Sequence, residues 1–256
     1  MIGKVTATTA LILVELDTAT ELTMYVSLVD PSIPKGRVVS TVTNLCPSRR
    51  PTTISVTNLL PSESYIVTFS GVSRQCAEKR IGSFNTLDIA DRTLRIITVS
   101  QDNPSAVLSG EHNVWATLAA RILRKTLPPV DLVLHTGGQV DMSTAFGEAW
   151  VLLSRSAART DLMPGEWSTI EAAAAERLRA AYRFSWNLPY TREVLASTSH
   201  LMVCADADVY PNFTLDVSLS PAVGGRVVAA LLRVARGVYR EYQRALWDGE
   251  DLERVS

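Results

Sequence analysis

The sequence predicts two fold classes joined end to end, an all-β sandwich over residues 1–87 followed by an α/β domain over 88–256. Two observations carry this. Six β-branched segments with partial alternation, and no stretch of helical period, fill the first part. From residue 93 onward, short continuous apolar runs alternate with helical-period segments, which implies a mostly parallel sheet covered by helices.

The β segments are VTATTALILVEL, LTMYVSL, RVVSTVTNL, TTISVTNL, SYIVTFSGV and IGSFNTL, separated by turn-rich stretches such as DPSIPKG and CPSRRP. TLRIITVS, residues 93–100, reads as an apolar run of the kind a strand buried on both faces carries. A helix is expected from Asn113 to about Lys125, stopped by Pro128 and Pro129. VDLVLHTGG is the next strand and Phe146–Ser156 the next helix. Ser168 and Glu171 are spaced as a capping box, expected to open an alanine-rich helix that runs to about Phe184. A short helix over Thr191–Ala196 leads to the strand HLMVCAD. The last segment, 226–247, is strongly amphipathic. Arg226, Arg233, Arg236, Arg240 and Arg244 fall on one face, and Val227, Leu231, Val234, Val238 and Tyr242 on the other.

Composition narrows the function classes. With 256 residues, 46% hydrophobic and 20% charged, the chain is long enough for two modest cores. A net charge of −1 exerts no long-range pull on nucleic acid or an anionic membrane. Cys46, Cys76 and Cys204 form neither a disulfide framework nor a zinc motif, although a Cys46–Cys76 bridge stays open. The early apolar run Ala10–Leu16 is broken by Glu15, lacks a signal-peptide layout and is far short of the roughly 20 residues of a membrane span. A cytoplasmic location is the expectation, so the acceptor triplet at Asn212 is not expected to be glycosylated. The first strand begins almost at Met1, which leaves room for sequence upstream.

In a parallel sheet covered by helices, functional groups gather where the strands end. The three ends read SQDNP, HTGGQ and ADADV. Asp102 suits a metal or phosphate site, but an aspartate before Asn-Pro is also a turn former. Gly137-Gly138-Gln139 lacks the third glycine and the following helix of a phosphate-cradling loop. His135, within a strand, reads as a core residue. Asp206 and Asp208 would share one side of a strand that continued through them, where their like charges would raise one pKa.

LLPSESYIVTF places Tyr65 just after a Leu-Pro corner at a strand start, which resembles the tyrosine corner of fibronectin type III domains. A spacer role is the plainer reading of such a domain, a binding module the sharper one. The order of IGKVTATTALILVELD, LLPSESYIVTFSGV, LRIITVSQD, DLVLHTGGQVD, YRFSWNLPYTREVLASTSHLMVCADADVYPNF and VARGVYREYQRALW resembles the alkaline phosphatase D (PhoD)-like metallophosphoesterases. These pair a fibronectin- or Ig-like domain with a calcineurin-like phosphatase domain. The resemblance implies metal-ligand positions at Asp102 and Asp206 and an orienting position at Asp208. It also implies losses. Gln101 stands where cysteine is common, Gly138 where a bridging aspartate belongs, Ala205 at an acid and Ala207 at a histidine. The chain reaches Ser256 just after the family's mid-domain helix, so the later metal-binding histidines have no counterpart and the phosphatase domain is incomplete.

General acid–base help alone is worth on the order of 10²–10⁴ in rate, and a two-metal site needs its bridging carboxylate to hold cations ~3.5–4 Å apart. The expectation is therefore a pseudophosphatase: Asp102 and Asp206 vestigial, no catalytic residue, no cofactor, and a structural or interaction role. Two alternatives remain. A hydrolase of phosphate mono- or diesters with a rebuilt site would use iron, calcium, manganese, magnesium or zinc, with His112 and His200 as its only histidines outside the one already read as core. The chain could instead be a fragment of a longer PhoD-like phosphatase. The apolar face of 226–247 is expected to stay open and to serve self-association or a protein partner.

Overall fold

The computed structural model describes residues 1–72, 82–87, 93–100, 113–123, 130–161, 163, 165–205, 208 and 224–248. Its first part is two antiparallel sheets. Strands β1 (Ile2–Val5), β2 (Ala10–Val14) and β5 (Thr52–Val56) pair in the order β1-β2-β5. Strands β3 (Thr20–Asp30), β4 (Ile33–Cys46), β6 (Ser64–Ser70) and β7 (Gly82–Asn85) pair in the order β4-β3-β6-β7. Period-2 alternation sends Leu22, Met24 and Val26 of β3 inward, where they meet Ile12, Ile54, Val56 and Val67. The segment expected as one opening strand is two. The Thr6 hydroxyl accepts the Thr8 and Thr9 amides at 3.2 and 3.0 Å, and this side-chain turn replaces ladder bonds. The turn expected over DPSIPKG is shorter as well. The Asp30 carboxylate takes the Ser32 amide and hydroxyl at 2.8 and 2.6 Å, so β4 resumes at Ile33.

Tyr65 closes the far end of this core. Its ring is fully buried, 5.4 Å from the Phe84 ring, and its hydroxyl accepts the Leu60 amide at 2.8 Å. Cys46 is a buried free thiol, and Cys76 lies outside the described residues.

The second part is a parallel sheet in the order β10-β9-β8, from β8 (Ile96–Val99), β9 (Leu132–His135) and β10 (Ser199–Met202). Helices α1 (Val114–Leu123) and α4 (Pro189–Leu195) form one small core with β8 through Leu118, Ala119, Val194, Ile97 and Val99. The larger core gathers α2 (Ser143–Ala157), α3 (Glu166–Trp186) and α5 (Gly224–Tyr239). Helix α5 continues through a π-helical turn, Arg240–Arg244, into α6 (Ala245–Asp248). Among the described residues, no helix is long and apolar enough to cross a membrane.

Two expectations are corrected here. Helix α3 starts at Glu166, two residues before the expected capping box, because Gly165 supplies a left-handed cap at φ 91° and the Glu166 carboxylate takes the Met163 amide at 2.8 Å. Ser168 instead donates to the Gly165 carbonyl, and Glu171 holds Trp167 and Arg233. The apolar face of 226–247 is not open. Val227, Ala230, Leu231, Val234, Val238, Tyr242 and Leu246 are all buried, because α2 and α3 cover this face within the chain. That face offers no surface for self-association or a partner.

The two parts meet at β1. Ser199 Oγ donates to the Gly3 carbonyl at 3.0 Å and the Ser83 amide to that of Ala196 at 2.8 Å. A Cβ on Gly3 would lie 2.8 Å from the Leu246 carbonyl oxygen, so only glycine admits this approach. Farther along, Glu15 at the end of β2 accepts Arg183 at 2.8 Å and the Tyr242 hydroxyl at 2.6 Å.

Removing the Tyr65 hydroxyl tests the corner. Tyr65→Phe leaves the Leu60 amide unpaired, and urea unfolding followed by tryptophan fluorescence is expected to lose about 1–2 kcal/mol.

Candidate functional site

The ends of β9 and β10 converge around one carboxylate. After β9 the chain turns through Gly137 and Gly138, both left-handed at φ 109° and 67°, which aims successive amides to one side. Strand β10 stops short of the end of the segment HLMVCAD expected from the sequence. It ends at Met202, and the Asp208 amide donates back to the Ala205 carbonyl at 3.2 Å, folding Asp208 toward the β9 loop. Asp208 Oδ1 accepts the amides of Gln139 and Val140 at 2.7 and 3.3 Å, and Oδ2 those of Gly138 and Ala205 at 3.1 and 2.9 Å. Only 2% of the residue is exposed. Burial pushes this carboxyl above its ordinary value, against the downward pull of the four amides. Asp208 thus orients two loops, and its lone pairs are occupied by backbone.

Gly137 and Ala205 touch across these loops. A Cβ at position 137 would sit 2.4 Å from the Ala205 Cβ. Beneath them lies a buried polar chain that sequence reasoning missed. Gln139 Nε2 donates to the Val203 carbonyl at 2.8 Å and to Gln243 Oε1 at 3.0 Å, while Gln243 Nε2 donates to the Tyr182 hydroxyl at 2.9 Å. Gln139 Oε1 has no partner among the described residues. Burial, and then the charge of Asp208, raise the Tyr182 phenol well above its ordinary value. The one local signal was Gln243 itself, a polar residue beside the apolar stripe of the last helix.

The predicted ligands fare differently. Asp102, Asp206, Gln101, Ala207 and His112 lie outside the described residues. Gly138, expected where a bridging carboxylate belongs, is buried and left-handed. Among the described residues, no three His, Cys, Asp or Glu side chains come together to hold a metal ion.

His200, the described histidine of the rebuilt-site alternative, is fully buried in β10 and paired with His135. The Val194 carbonyl can only accept, so the bond of 3.0 Å to His200 Nε2 fixes the proton there. His200 Nδ1 then accepts from His135 Nε2 at 2.9 Å. His135, read as a core residue, is indeed buried. Burial lowers His135 to about 4 and His200 well below 6.5. The charge of His135 and of the Met1 amine depress His200 further.

The fold is similar to that of a solved structure, PhoD. PhoD is similar over 94% of this chain, with a TM-score of 0.60 at 14% identity. The chain spans 44% of PhoD. Purple acid phosphatase PPD1 from yellow lupin (Lupinus luteus) seeds aligns over 90% of this chain and 39% of its own, at 8% identity and a TM-score of 0.47. No protein-family description and no curated protein matches the sequence.

Two outcomes follow from this geometry. Asp208→Ala strands four amides in two loops, and is expected to cost about 3–5 kcal/mol in urea unfolding; Asp208→Asn, which keeps one acceptor oxygen, costs less. The histidine pair sets a pH dependence. Both folded pKa values lie below the unfolded value, so below about pH 6.5 the unfolded chain takes up protons that the folded one refuses. Stability is present above pH 6.5 and falls toward pH 4, by up to about 1.4 kcal/mol per pH unit for each ring. Unfolding free energies measured from pH 7.5 to 4.5 check this, and a His135→Met/His200→Met double variant should show a shallower slope.

Proposed function

We propose that the chain is a phosphatase-like protein without phosphatase chemistry, which uses the fold in a structural or interaction role. The observation that carries this reading is the β9 loop: Gly138 brings no side chain where the resembled enzymes place a bridging carboxylate, and Asp208 spends its oxygens on four amides. The described residues do not fit a two-metal centre, which needs a carboxylate shared between the ions. Asp102 and Asp206 are vestigial in this reading, and could at most hold a hard cation weakly with water completing its shell.

The sandwich fits the same proposal as a fibronectin type III-like module. Its sheet orders, β1-β2-β5 and β4-β3-β6-β7, and the Tyr65 corner support that assignment. The buried free thiol of Cys46 agrees with a reducing compartment.

Assays of p-nitrophenyl phosphate and bis(p-nitrophenyl) phosphate, with iron, calcium, manganese, magnesium or zinc added, are expected to match the protein-free blank. Metal-dependent hydrolysis that Asp206→Ala abolishes overturns the proposal, as does near-stoichiometric transition metal in protein purified without chelator.

A further inference from the structure

A cavity of about 610 Å³ opens between the sandwich and the α/β domain, on the side of the junction marked by Glu15. Its size falls within the range of small-molecule sites, roughly 300–1,000 Å³. Leu16 and Phe69 line it from the sandwich and Trp186 from the end of α3. The ion pairs at its edge are closed: Glu15 is occupied by Arg183 and Tyr242, and Arg183 also reaches Glu176 at 2.5 Å. Arg192 of α4 is the exception. It lines the cavity, is half-buried, and its guanidinium makes no ion pair or hydrogen bond among the described residues. Asn187, one residue past α3, lines the same cavity, its side-chain amide also unengaged among the described residues.

We infer that this cavity binds an amphipathic monoanion, an apolar body carrying one carboxylate or sulfonate, with the head on Arg192 and Asn187 and the body against Leu16, Phe69 and Trp186. A guanidinium partly withdrawn from water and lacking a counterion gains most from an anion that brings its own apolar surface. The acidic neighbours limit the charge. Glu15 and the exposed Asp17 line the same cavity, so nucleotides and other polyanions meet several times the repulsion that a single negative charge does.

Calorimetric titration with dodecanoate, and separately with dodecanol, tests this on the whole chain. Dodecanoate should bind saturably, one per chain, about tenfold tighter than the alcohol, as expected for a charge-assisted hydrogen bond. Arg192→Gln should bring dodecanoate down to the level of the alcohol and leave dodecanol unchanged. Arg192→Lys should retain most of the difference, and Leu16→Trp should weaken both ligands by filling the cavity. Because Arg192 has no partner to lose among the described residues, Arg192→Gln should unfold at the wild-type temperature and decides the question even if Leu16→Trp does not fold. No saturable dodecanoate binding, or binding unchanged in Arg192→Gln, overturns the inference.

Discussion

Three parts of the molecule are tied together by one irregular turn of helix. In a π-helix the backbone bonds run i→i+5, so each residue advances by less than the 100° of an α-helix and adjacent side chains crowd toward one side. Here that geometry falls on Glu241, Tyr242 and Gln243. Glu241 makes a two-pronged pair with Arg179 of α3, at 2.6 and 2.7 Å. Tyr242 crosses to Glu15 of the sandwich while its ring stacks on Tyr182 with centroids 4.3 Å apart. Gln243 joins Tyr182 to Gln139 at the strand ends. A regular helix would spread these three residues around more of its circumference. The position of α3, the docking of the sandwich and the floor of the strand-end loops therefore share one backbone irregularity.

The strand-end loops separate two jobs that one set of residues performs together in a metal site. Asp208 keeps the loops in register through backbone amides alone, and that job asks nothing of its neighbours' side chains. The fold can therefore persist when the residues around it lose their chemistry, because the sheet and the loops are held by groups that every sequence carries.

Much of the architecture was legible because it rests on local periodicity. Alternation marked the sandwich strands, and continuous apolar runs marked β8, β9 and β10. Boundaries failed where a side chain competes with the backbone, as at Thr6 and Asp30, or where a glycine caps a helix early, as at Gly165. The amphipathic face of 226–247 was readable, but what covers it was not, since α2 and α3 lie far away in the chain. The same limit applied at the candidate site. The four amides gathered on Asp208 come from residues 138–140 and 205, and the Gln139–Gln243 bond spans 104 residues, so no local pattern announces either. His200 looked available only because nothing in the sequence says that it faces His135 across two parallel strands.

The contact between Gly137 and Ala205 makes their substitution histories dependent on one another. Position 137 is barred to side chains twice over, by its left-handed backbone and by the methyl group 2.4 Å from where its own Cβ would be. Position 205 carries a side chain only because its neighbour has none. In any library that randomises both sites, folded members will therefore be diverse at 205 and almost uniform at 137. Attempts to build new chemistry into these loops have to start from the β10 side and leave the glycine in place.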